Sequence, residues 1–304
     1  MSKVNATIMS GIMVLSAACP MAAEPHSVYT AVCYVSGTST NRGVSCFPKD
    51  FIKDVCGAGV NDTVITVPAG VTEIPDYAFA DCASLQKVIL PEGLETVGDY
   101  AFLGCGSLES VELPSTLSSL GEGAFRECTS LKSLVIPQNI SAIPRYMCAW
   151  NQNLTSVSLP EGTKDIGSHA FAYCKALESV DIPEGVEHIG SNVFSRCAML
   201  REITLPSSIK ELESYAFSDC RSLRRAVLPA NSHLLGEFLF IGCDSLEEIV
   251  CESPEPAPFD CGTPFFDPSE SHRYRECRLT LVPSAVHLFR SAPVWRLFFQ
   301  CDDN

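Results

Sequence analysis

The stretch that decides the fold is Pro91–Leu113, PEGLETVGDYAFLGCGSLESVEL, read beside Pro183–Leu205, PEGVEHIGSNVFSRCAMLREITL. The two agree in Pro, Gly, Phe, Cys and Leu at equal offsets. Prolines recur at 68, 91, 114, 137, 160, 183, 206 and 229, each 23 residues after the last. Eight units therefore run from Pro68 to Cys251 without insertion or deletion. With each proline as position 1, the pattern is P-x-x-Φ-x-x-Φ-G-x-x-A-F-x-x-C-x-x-L-x-x-Φ-x-Φ, where Φ is apolar. A fixed period of this size marks a stacked architecture, in which no unit can bury its apolar side alone.

Positions 18, 21 and 23 are apolar, as in Leu108, Val111 and Leu113. The last two alternate around a polar residue, which is strand-like. The following proline cannot donate to a ladder and ends the strand. A unit of this length with L-x-x-Φ-x-Φ falls in the leucine-rich repeat range. The predicted fold is a solenoid with a parallel β-sheet on one face and short helical or irregular return segments. In the return path, the glycine of Val97-Gly98-Asp99-Tyr100-Ala101-Phe102 suits a tight turn. At about 4.8 Å per layer, eight units span roughly 38 Å.

The flanking segments read as a leader and two caps. Residues 1–23 carry Lys3, an apolar core from Ala6 to Leu15 and then small residues, the pattern of a secretory signal. Cleavage after Ala18 exposes Cys19, and Leu15-Ser16-Ala17-Ala18-Cys19 resembles the lipid-attachment site of bacterial lipoproteins. The leucine sits one place too far back for that motif. The other reading is an ordinary signal cut after Ala18 or Ala23, with Cys19 incidental. Open solenoids expose their core at both ends, so residues 24–67 and 252–304 are the expected caps. The second finishes with Leu288, Phe289, Trp295, Leu297, Phe298 and Phe299, expected to cover the last unit.

Composition excludes several classes. The formal charge is −15, from 21 basic and 36 acidic residues, which speaks against a nucleic-acid binder. No apolar run reaches the length of a membrane span, so a lipid anchor is the expected membrane attachment. The six histidines do not cluster, and no H-E-x-x-H, G-x-S-x-G, Walker loop or calcium loop is present. Glutamates recur in solvated Pro-Glu-Gly turns. The reading is a non-enzyme with no cofactor and no metal.

Sixteen cysteines form two groups. Cys82, Cys105, Cys128, Cys174, Cys197, Cys220 and Cys243 occupy position 15 and should form a buried ladder of thiols. No compact zinc spacing exists among them, and stacked parallel side chains seldom reach disulfide torsions. In the caps, an oxidising compartment allows bonds among Cys33, Cys46 and Cys56, and among Cys251, Cys261, Cys277 and Cys301. Cys33–Cys46 and Cys251–Cys261 are the expected pairs, although spacing does not fix them.

Two surfaces are candidates for binding. Side chains alternate along a strand, so positions 20 and 22 should face solvent. Ser156, Ser158, Ser179 and Asp181 make the middle of that face small and hydrogen-bonding. It suits an extended protein segment or a glycan. Unit four is irregular: Met147-Cys148 replaces Ala-Phe, Asn151 replaces the ladder cysteine, and Trp150 stands at position 14. There Trp150 neighbours Tyr173 of the next layer, an aromatic pair able to meet a sugar or a protein. Alternatively, Trp150 turns inward to fill the volume lost at Cys148.

The recurring I-G-x-x-A-F-x-x-C-x-x-L-x-x-I-x-I-P resembles the BspA-like leucine-rich repeat family of surface proteins from mucosal microbes. Residues 279–299 resemble the end of many such chains. The resemblance implies an exported, surface-located adhesin for host or neighbouring-cell macromolecules, with matrix proteins such as fibronectin and fibrinogen as partners. An envelope scaffold and a glycan-binding part of a surface uptake system are the other readings.

Overall fold

The computed structural model describes residues 51–52, 56–230, 234–256, 265–267 and 272–299, and the backbone of 6–9, 12–15 and 32–34. Those last three segments form a small antiparallel sheet. The repeats stack as successive layers held by three hydrogen-bond ladders.

The first ladder lies where the sequence predicts it, at positions 20–22. Val64–Thr66, Lys87–Ile89 and Ser110–Val111 pair in parallel, one unit apart. Ser133–Val135 pairs with Ser156–Ser158, and Glu202–Thr204, Arg225–Leu228 and Glu248–Cys251 continue the series. Val88, Leu134, Val157 and Ile203 point inward while their neighbours face solvent. The ladder begins one strand before Pro68, and Arg278–Leu281 adds one more beyond Cys251, pairing with it in parallel. Unit five contributes to this first ladder an isolated bridge, Ser158 to Asp181, in place of a strand.

A second, narrower ladder runs at positions 6–7 of the return path. It joins Glu73–Ile74 to Thr96–Val97 and Ser119–Leu120. It then joins Ala142–Ile143, Asp165–Ile166, His188–Ile189, Glu211–Leu212 and Leu234–Leu235. The glycine at position 8 serves layer contact rather than turning: a Cβ on Gly98 would lie 2.6 Å from the Asp76 nitrogen. Gly121, Gly167, Gly190 and Gly236 meet the same obstacle, each within 2.7 Å of a backbone nitrogen in the preceding layer.

The third ladder replaces the helix that the return segment was free to form. Positions 10, 12 and 14 donate their N–H groups to the next layer. In unit four, Tyr146 donates to the Ser168 carbonyl, Cys148 to that of Ala170 and Trp150 to that of Ala172, at 3.1, 2.8 and 2.8 Å. Such a path needs a left-handed residue at every second bend. Positions 10 and 14 accordingly have positive φ in all eight units, including Tyr146 at 56°, Trp150 at 66°, His169 at 62° and Tyr173 at 63°. Left-handed backbone disfavours bulky residues. Here the inter-layer hydrogen bonds hold it.

Inside these ladders lies one continuous apolar core. Phe79, Phe102 and Phe125 stack at 4.8 and 5.1 Å, and Phe171, Phe194, Phe217 and Phe240 resume the column at 5.6 to 5.7 Å. Cys148 interrupts it. The position-15 thiols are buried and free, as expected of the ladder. Six of them, Cys105 onward, reach back one layer: Cys105 and Cys128 donate to the Phe79 and Phe102 carbonyls at 3.1 Å, and Cys243 to that of Phe217 at 3.0 Å. The thiols thus act as weak staples between layers as well as apolar filler.

At the C-terminal end, Phe265 extends the phenylalanine column 5.9 Å beyond Phe240. Trp295 and Phe289 are buried around it, Trp295 meeting Phe265 edge-on at 5.0 Å. Phe298 packs edge-on against Phe265 and Tyr274. Leu288 differs from its expected role: it lies on the outer side of the helix Val286–Ser291 and is 38% exposed.

Candidate functional site: an aromatic groove on the return face

The left-handed residues at positions 10 and 14 form two parallel rims, and position 13 between them forms a floor. Over units four to seven these enclose a groove of 470 Å³. One rim carries Tyr146, His169, Asn192 and Tyr215, and the other Trp150, Tyr173, Arg196 and Asp219. Ala172, Ser195 and Ser218 lie beneath, with the Ser218 hydroxyl donating to that of Ser195 at 2.8 Å.

The structure brings Trp150 and Tyr173 together. Their rings stack at 5.0 Å with planes 15° apart, and both are half-buried. Met147 and Asn151, not Trp150, occupy the interior of unit four, each with no exposed surface. Tyr146 stacks on His169 at 4.8 Å along the opposite rim. Tyr146 and Trp150 approach to 6.4 Å, which closes the groove at its unit-four end.

Guanidinium groups cap the stack. Arg126 lies over the Trp150 ring at 4.5 Å, and Arg196 over Tyr173 at 4.9 Å. The order along the rim is therefore Arg126, Trp150, Tyr173, Arg196, with Asp219 holding Arg196 at 3.2 Å. Such cation–π contacts contribute about 0.5–1 kcal/mol each when exposed. Both faces of the aromatic pair are engaged, so the groove is offered ring edges and polar tips. Burial, and then the charge of Arg145, pushes the His169 imidazole below its ordinary pKa, so it is neutral at pH 7. Its Nδ1 is buried without a partner.

The strand-face candidates stand apart from the groove. Ser156, Ser158, Ser179 and Asp181 are all exposed. Ser156 lies beside Ser133, and Ser158 beside Val135 and Asp181. This face is flat, and Val135 within it is 67% exposed.

Among the cap cysteines, Cys251 is a buried free thiol in the structure, and its expected partner falls beyond the described residues. It ends the strand Glu248–Cys251, opposite Leu281. Cys261, Cys46 and the lipidation candidate Cys19 lie outside the described residues, as does the side chain of Cys33. Cys56 and Cys277 are also free. Among the described residues, no group of three or more His, Cys, Asp or Glu is placed to hold a metal, and no helix is long and apolar enough to cross a membrane.

Sequence reasoning found Trp150 and Tyr173 but missed the opposite rim and the capping arginines. The signal was present at position 10, where Tyr77, Tyr100, Tyr146, His169, Tyr215 and Phe238 recur at the repeat interval.

Fold and surface define a leucine-rich repeat solenoid. The sequence matches the BspA type leucine rich repeat region over residues 51–176 and 142–255, in six copies, and the chain belongs to that family. A leucine-rich repeat protein from Bacteroides ovatus shares 21% identity, with a TM-score of 0.55 over 93% of this chain and 76% of its own. A leucine rich cell surface protein from Faecalibacterium prausnitzii shares 20%, with a TM-score of 0.45 over 83% and 84%. The first likeness concerns the fold alone, and the second is too distant to carry an argument. No curated protein matches the sequence.

Proposed function

We propose that this protein is an exported surface adhesin that binds extracellular or neighbouring-cell proteins, fibronectin- and fibrinogen-like matrix proteins among them, through the side of its solenoid. Residues 1–23 are the proposed leader, and Cys19 the proposed lipid-attachment point. The observation that carries the reading is the groove: an open, aromatic-rimmed channel on a rigid stack. Aromatic and arginine side chains are the residues that most often dominate protein interfaces. The family membership supports the same reading.

The test is a binding array of the purified chain against matrix proteins and oligosaccharides. Saturable binding of a matrix protein is the expected result. Folded protein that binds none of them returns the envelope scaffold as the simpler account. Palmitate labelling of the expressed chain, lost in Cys19→Ala, checks the anchor.

A further inference from the structure

Resting on that reading, we infer that the groove of units four to seven takes an extended polypeptide segment of about four residues with an acidic side chain at its closed, unit-four end. Three observations converge on this occupant.

The first concerns what the aromatics leave free. Sugar recognition by stacking needs an open ring face. Arg126, Trp150, Tyr173 and Arg196 cover one another's faces along the rim, and opposite them Tyr146 and His169 each cover one face of the other. Ring edges are the positive part of the aromatic quadrupole, so they suit carbonyl and carboxylate oxygens.

The second is the supply of polar groups. The Asn192 amide has no side-chain hydrogen bond to the described residues, though it lines the middle of the groove. Such an amide presents one acceptor and two donors, which matches a peptide group's N–H and C=O. The hydroxyls of Tyr146 and Tyr173 are likewise uncommitted among the described residues.

The third is charge. The chain carries −15 overall, yet Arg126 and Arg145, next to the groove's lining rather than in it, lie over the ring of Tyr146 at 5.7 and 5.8 Å. Arg126 is paired with Glu127 at 3.1 Å. Arg145 is exposed and has no ion pair among the described residues. It lies over the Tyr146 ring at 5.8 Å and is the cation left for an incoming carboxylate. Length fits as well: three layer steps of about 4.8 Å give roughly 14 Å, the reach of about four extended residues.

The test pans a library of random displayed dodecapeptides on the full chain, then measures the enriched peptides by fluorescence polarisation. Cellohexaose and chitohexaose serve as the glycan probes. Enrichment of Asp- or Glu-containing peptides is expected, with affinity falling at least tenfold in Arg145→Glu and several-fold in Asn192→Gly. The glycine keeps the left-handed backbone, and neither side chain makes a hydrogen bond or ion pair to the described residues, so both variants should fold. Lys87→Ala, exposed on the strand face of unit one, should bind as wild type. No acidic enrichment, unchanged affinity in both groove variants, or saturable oligosaccharide binding would each overturn the inference. Running the same variants on the matrix-protein array separates the two claims. Matrix binding that survives both groove variants sinks the groove assignment and leaves the adhesin standing; absence of matrix binding by wild type sinks the adhesin.

Discussion

Trp150 and Tyr173 lie face to face at 5.0 Å although 23 residues separate them, because each occupies position 14 of its unit. Position 14 is left-handed and points to the rim, so the repeat converts a sequence interval into a ring stack. Replacing Trp150 by Ala removes that stack and its Arg126 cap. A loss of about 1–2 kcal/mol is expected from the paired contacts, read as a lower denaturant midpoint. An unchanged midpoint would show that the stack contributes nothing to stability.

Asn151 is fully buried, and neither its Nδ2 nor its Oδ1 has a partner in the structure. A polar group left so costs about 1–3 kcal/mol. Asn151→Cys restores the ladder residue and places a thiol 26 residues after Phe125, the offset at which Cys105 and Cys128 donate. The variant should melt several degrees higher in calorimetry. A lower melting temperature would mean that Asn151 finds hydrogen bonds in solution.

Burial pushes the Cys174 thiol of the ladder up to about 12, and holds Cys197 of the ladder and Cys148 of the phenylalanine column well above their ordinary range. The thiolate is the reactive form. At pH 8 a colorimetric thiol reagent should therefore leave the position-15 cysteines of the native chain untouched and modify them all in denaturant. Peptide mapping that finds Cys197 or Cys220 labelled in native protein would contradict the closed core.

Glu248 ties the last layers. It accepts hydrogen bonds from Thr280 at 2.7 Å, from Arg278 at 2.8 Å and from Arg225 at 3.2 Å. The Thr280 hydroxyl first, and then the Arg278 and Arg225 guanidiniums, hold its carboxyl below the ordinary carboxylate value. A lowered folded pKa means stabilisation that is complete above the unfolded value of about 4.3 and lost as pH falls through the folded value. Glu248→Gln should cost roughly 1 kcal/mol at pH 7, and the difference from wild type should vanish in acid. Equal denaturant midpoints at pH 7 would rule this network out as a tie.

Trp295 closes the C-terminal end against Phe265 and Phe289 at 5.0 and 4.8 Å. Trp295→Ala should cost about 3–5 kcal/mol and expose the end of the core to a hydrophobic dye. Wild-type stability in that variant would show that other groups close the stack.

The sequence carried the period, the strand at positions 20–22 and the inward cysteine column, because proline, leucine and cysteine repeat without a gap. It did not carry the second and third ladders. Two-residue strands such as Asp165–Ile166 are too short for a periodicity to show. Left-handed tyrosine and tryptophan run against local preference, and only the hydrogen bonds from Tyr146 and Trp150 to the next layer explain them. Within the site, Trp150 and Tyr173 were legible as neighbours. Arg126 was not, since it stands at position 13 of unit three and reaches Trp150 across a layer.

The central claim is that the protein binds macromolecules along the groove of units four to seven. Hydrogen–deuterium exchange of the full chain, alone and with a matrix protein captured on the array, tests it most directly. The account predicts slowed exchange over residues 146–150, 169–173 and 192–196 in the complex. Slowing confined to the strand face around Ser156–Ser158 and Ser179–Asp181 would contradict it.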